Sequence, residues 1–149
     1  MSGLQPLDLE LRRLIYERLR GGGAMPSLAA LARSANATSE NTAASLKRLA
    51  GAHMLVLQRN GEILMANPFS AVPTPFPITI GEFSWYGNCI WDAMGIAAML
   101  KQPGLIRTSC GCCGTAMNIR VPEECSDASE WRAHFAIPAA RWWDDIVFN

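Results

Sequence analysis

The 149-residue sequence predicts an α+β protein: an N-terminal winged-helix-like unit of three helices with a hairpin, then a small domain of mixed sheet and helix. Three observations carry that prediction. Apolar residues recur at helical spacing through residues 7–50, an Asn60-Gly61 pair separates two apolar runs, and short strand-like runs bracket one apolar helical stretch beyond residue 76.

The first helix is expected over residues 7–20, where Leu7, Leu11, Leu14, Ile15 and Leu19 share a face and Gly21-Gly22-Gly23 ends the pattern. Ser27 is placed to cap a second helix over residues 28–34. Ser39 is placed to cap a third that runs to Ala50, with Leu46 and Leu49 inward and Gly51 as the stop. "MLVLQRNGEILMA" then predicts a hairpin, because Asn60 and Gly61 both tolerate positive φ. Three helices and a hairpin invite a DNA-binding reading with residues 39–50 as the recognition helix. That helix carries only Lys47 and Arg48, both near its C-terminal end, whereas bases are read from the N-terminal part and phosphate grip needs several cations. Nucleic acid is therefore not the expected partner; a packing or dimerising module is.

Residues 67–76, "NPFSAVPTPF", hold three prolines and are expected to form an extended strap that is neither helix nor central strand. "ITIGEF" predicts one short strand. Residues 92–100 predict a buried helix that opens near Asn88 and stops at Pro103-Gly104. "LIRTS" and "AMNIRV" predict two strands with a cysteine-rich tight turn between them. The expected divisions are residues 1–66, a proline-rich linker or strap over 67–80, and a second domain over 81–149.

The formal net charge is zero, but residues 1–66 carry eight Lys/Arg against five Asp/Glu and residues 67–149 carry five against eight. No apolar run approaches the roughly 20 residues of a membrane helix, and no basic-then-apolar leader follows Met1. A cytoplasmic protein without membrane contact is expected. Three of the five cysteines crowd into Cys110-Gly111-Cys112-Cys113, unlike the spaced framework of a secreted disulfide domain. Reduced thiols with a chemical or metal-related role fit better.

Two clusters carry chemistry. A helix starting near Asn88 puts Cys89 and Asp92 on one face, where helix N–H groups favour a thiolate and the carboxylate exchanges its proton. The competing reading is an ordinary capped helix start with a buried thiol. Cys110 and Cys113 form a CxxC with the spacing of half a zinc site, yet Cys125, His134 and His53 supply no second pair. A redox CxxC and a glycine turn with one structural thiol are the other readings. His134 reads as a core or strand-edge histidine, and Trp142-Trp143 before Asp144-Asp145 as packing or a pocket wall.

Taken together, "NPFSAVPTPF", "WYGNCIWDA", "IRTSCGCCG" and "HFAIPAARWWDDIVF" resemble the alkylmercury (organomercurial) lyase family over nearly the whole chain. The resemblance implies that Cys89 binds mercury, that Asp92 handles protons, and that a carbon–mercury bond is cleaved by protonolysis to a hydrocarbon and Hg(II). It implies no resident cofactor, with small-molecule thiols as co-reactants and organomercurials and Hg(II) as the bound species. Soft Hg(II) prefers thiolate donors. By the same resemblance Cys110 is the structural cysteine, and Cys112 and Cys113 are extra thiols and candidate Hg acceptors. The family's second catalytic Cys has no clear counterpart before Asn149. A C-terminally truncated member is expected, with Cys112, Cys113 or Cys125 as substitutes and an exposed strand edge that favours a homodimer. The alternative is a non-catalytic thiol-based Hg(II) or soft-metal binding protein, or a winged-helix regulator.

Overall fold

A computed structural model describes residues 3–121 and 131–147. The N-terminal helices form where their apolar spacing places them: α1 spans Pro6–Arg20, α2 Leu28–Ser34 and α3 Ser39–Gly51. Leu11, Ile15 and Leu19 of α1 meet Leu31 of α2 and Leu46 and Leu49 of α3 in one core. Each such side chain contributes about 1.5–3 kcal/mol on leaving water. Ser27 Oγ caps α2 by accepting from Ala30 N at 3.2 Å. The cap of α3 is Thr38 rather than Ser39: Thr38 is extended (ψ 154°) and its Oγ1 accepts from Asn41 N at 3.1 Å. Arg48, one of the two cations near the C-terminal end of that helix, pairs with Asp8 at 2.7 Å.

The hairpin follows as β1 (Val56–Leu57) and β2 (Ile63–Ala66). Its turn differs in detail from the expected one. Only Gly61 adopts positive φ (+87°), while Gly61 N donates to Gln58 O and Gln58 N to Glu62 O. The remaining strands are β3 (Phe69–Ser70), β4 (Pro77–Ile80), β5 (Phe83–Gly87), β6 (Gly104–Ser109) and β7 (Ala116–Val121), with helix α4 (Ile90–Leu100) between β5 and β6. All seven strands join one antiparallel sheet in the order β1-β2-β3-β5-β4-β6-β7.

Two expectations are corrected here. "ITIGEF" is not one strand but the middle of a hairpin, in which β4 reverses through Gly81 (φ +58°) into β5. The proline strap does supply an interior strand, because β3 lies between β2 and β5. Pro68, Pro73 and Pro75 flank β3 without entering it, so no ladder donor is lost, and Pro77 takes the first position of β4.

Along β5 the buried Trp85 and Gly87 alternate with the exposed Ser84 and Tyr86. The buried face receives both α1 and α4. Trp85 Nε1 donates to Leu19 O at 3.0 Å, Tyr16 packs edge-on against Phe69, and Ala93 sits on Gly87. A Cβ at Gly87 would lie 2.4 Å from Ala93 N, so a glycine is required for α4 to start where it does. No helix among the described residues is long and apolar enough to cross a membrane.

Candidate functional site

β5 ends at Gly87 and α4 begins at Ile90, which makes Cys89 the N-cap residue and Asp92 the third residue of the helix. The contact between the two residues is a helix cap rather than a meeting of side chains on one face. Cys89 is extended (φ −142°, ψ −179°) and its Sγ accepts from Asp92 N at 3.4 Å. Cys89 is half-buried. Burial pushes its thiol pKa up, and the Asp92 charge adds to that. The backbone N–H groups of Asp92 and Trp91 oppose it without reversing it. The thiol therefore needs a base to ionise, which differs from the expectation of a helix-stabilised thiolate.

Asp92 is the charged side chain that acts on this thiol. Its own pKa is raised, chiefly by burial, while hydrogen bonds from the side chain and backbone of Asn88 pull it down. Asn88 is the organising side chain that the sequence reading did not assign. Its Nδ2 donates to Asp92 Oδ2 at 2.8 Å, to Asn67 Oδ1 at 3.1 Å and to Pro68 O at 3.4 Å. Asn67 in turn accepts from Tyr16 OH of α1 at 2.8 Å through its backbone carbonyl, ahead of the cis Asn67-Pro68 bond. The carboxylate is thus anchored by groups from α1, the β2–β3 connection and the β5–α4 connection. The Asn88–Asp92 spacing of four was a readable signal; the 21-residue separation from Asn67 was not. Asn88 Oδ1 is buried without a protein partner.

Beside this turn, Trp91 is 62% exposed and helps line an apolar cavity of about 530 Å³ with Phe135, Ile137 and Trp142. His134 lines the same cavity from an irregular, exposed stretch, so it is neither a core nor a strand-edge residue. Trp142 is tied by Nε1 to Ile137 O at 3.1 Å, and Trp143 stacks on His53 with ring centroids 4.2 Å apart. The tryptophan pair thus divides between a pocket wall and a packing contact.

The cysteine cluster occupies the β6–β7 turn as expected, with Cys112 and Cys113 exposed and Cys110 half-buried. It does not join Cys89 in a common group. Among the described residues no set of three or more His, Cys, Asp or Glu side chains gathers to hold a metal ion. Cys125 lies outside the described residues.

A family model described as alkylmercury lyase (MerB) matches residues 69–148. The crystal structure of the mercury-bound form of MerB2 is similar in fold, with a TM-score of 0.63 at 21% identity; the match covers 80% of this chain and 58% of that one. The chain therefore spans less than two thirds of the length of that MerB2 chain. No curated protein matches the sequence.

Proposed function

The chain belongs to the alkylmercury lyase family, and from that premise we propose that it cleaves carbon–mercury bonds by protonolysis, with Cys89 as mercury ligand and Asp92 as proton shuttle. The observation that carries the reading is the capped turn itself: a half-buried thiol and a half-buried carboxylate three residues apart, both with raised pKa values.

The chemistry follows from those environments. The Asp92 carboxylate takes the Cys89 proton as Sγ bonds to the mercury of R–Hg(II) delivered as its small-thiol complex R–Hg–SR′, the small thiolate staying on mercury as its second sulfur ligand. Sulfur donation weakens the bond from mercury to carbon. Its electron pair then collapses onto carbon, which takes the proton back from Asp92 and leaves as the hydrocarbon R–H. Mercury stays divalent on Cys89 until small thiols remove it. Burial pushes the Asp92 pKa up, which favours its proton-carrying form relative to an exposed carboxyl. Asn88 keeps the carboxylate oriented. No resident cofactor is invoked. Helices α1 to α3 with the β1–β2 hairpin serve as a winged-helix-like packing module, residues 67–80 join it to the rest through β3 and β4, and residues 81–149 form the lyase-like part, in a cytoplasmic protein.

The test is incubation of the purified protein with phenylmercury and excess small thiol, with benzene measured by gas chromatography. Benzene above the thiol-only control is expected, and Cys89→Ser should remove it. Stoichiometric Hg(II) binding without benzene would select the non-catalytic thiol-based binding protein instead.

A further inference from the structure

The β6–β7 turn carries three of the five cysteines, and the Cys89–Asp92 chemistry uses none of them. Its backbone is closed by Cys110 N donating to Thr115 O and Gly114 N to Cys110 O, both at 2.8 Å, with Gly114 at φ +72°. That closure holds Cys110 and Cys113 within one tight turn, with Cys113 Sγ 3.1 Å from Thr115 Oγ1. Cys112 is no third donor, since no group of three such side chains exists among the described residues.

Donor number decides what such a pair can hold. Structural zinc asks for four ligands in a tetrahedron. Two thiolates suit a soft ion content with linear two-coordination, and Hg(II) is one. Placement adds to this. β5 and β6 run in the same direction with β4 between them, Tyr86 opposite Pro77 and Ile78 opposite Ile106. The end of β5 that leads to Cys89 and the end of β6 that leads to Cys110 therefore share one end of the sheet. Two strand spacings, roughly 10 Å, separate them.

The geometry points to Cys110 and Cys113 as a second, solvent-facing dithiol site that takes up Hg(II) as a two-coordinate bis-thiolate beside the Cys89 centre. Uptake forms two sulfur–mercury bonds and releases the two thiol protons to solvent, with no electron transferred. Naming the ion as mercury rests on the carbon–mercury reading; the paired thiols do not.

The test uses the full chain carrying Cys89→Ser and Cys125→Ser, which leaves the turn thiols as the only ones. Reduced protein is titrated with Hg(II) against a competing monothiol. Binding is followed by sulfur-to-mercury charge-transfer absorption and by metal retained after desalting. One equivalent is expected. Adding Cys113→Ser should weaken retention about 100-fold or more, as a chelate becomes a single thiolate, while circular dichroism stays unchanged. Adding Cys110→Ser should do the same, and adding Cys112→Ser should change nothing. No retention in the parent, retention that survives Cys113→Ser, or loss on Cys112→Ser overturns the proposal. Wild-type protein that releases no benzene while the parent still binds Hg(II) would sink the lyase reading and leave this site standing.

Discussion

Helices α1 and α4 open on the same local device and put it to opposite uses. Each has an aspartate at its third position, Asp8 in α1 and Asp92 in α4. Asp8 is fully buried against Arg48 at 2.7 Å and Ser45 Oγ at 2.5 Å, and also accepts from Gln5 N at 2.8 Å. The Arg48 hydrogen bond leads in holding its pKa down at about 2. Asp92 forms no ion pair among the described residues, and its main partner is the neutral Asn88 amide. Burial therefore wins and its pKa rises. One carboxylate is held in its charged form by an ion pair and joins two helices; the other has no ion-pair partner among the described residues and its pKa is raised. The difference lies in what the tertiary structure places opposite each of them, not in position along the helix.

The largest expected effect separates the two directly. Asp92→Asn should lower benzene release from phenylmercury by about 100-fold to 10,000-fold, the range for loss of a positioned proton donor. Its melting temperature should stay at or above that of the wild type. Asp8→Ala should do the reverse, costing about 2 kcal/mol in urea unfolding with per-molecule turnover retained. The cost falls below that of a fully enclosed ion pair because Arg48 keeps 29% of its side-chain surface in water. If Asp8→Ala abolished turnover in protein shown to be folded, the division of labour would collapse.

Asn88→Ala offers a finer cut. It removes the hydrogen bonds that favour the Asp92 carboxylate, so the Asp92 pKa should rise further and carry the acid limb of the kcat/KM profile upward. A purely structural Asn88 would lower stability without moving that limb. The smallest effect is in the pH dependence of unfolding. Asp8, depressed from 3.8 to about 2, contributes stability that is fully present above pH 3.8 and is lost as pH falls toward 2. Asp92 works the other way, since its raised pKa penalises the folded state as pH climbs from the unfolded value through the folded one. Asp8→Ala should therefore flatten the acid side of the stability curve, and Asp92→Asn the side just above it, as read by chemical denaturation from pH 2 to neutrality.

The parts that were legible share a physical cause. Helices α1 to α3 announce themselves because every third or fourth residue must face the same core, and Leu11, Ile15, Leu46 and Leu49 do so with no exposure. Neighbouring Thr38 and Ser39 are both competent caps, and only the backbone angle chooses between them. The β4–β5 hairpin was hidden because its turn, Gly81-Glu82, lies inside what reads as one run. β3 has two residues, too few for any period to show. At the site, Cys89 and Asp92 could be read from their spacing. Asn67 and Tyr16 could not, being brought to Asn88 from other parts of the chain.

By itself, then, the sequence determined the local elements, the thiol and carboxylate at the start of α4, the cysteine turn and the family resemblance, since all of these depend on residues close together in the chain. Tertiary structure alone decided which aspartate is ion-paired and which has its pKa raised by burial, that the sheet runs unbroken from β1 to β7, and that the Cys110 turn shares an end of it with Cys89. A pKa or a metal site depends on neighbours within a few ångströms, and folding chooses those neighbours from distant parts of the chain.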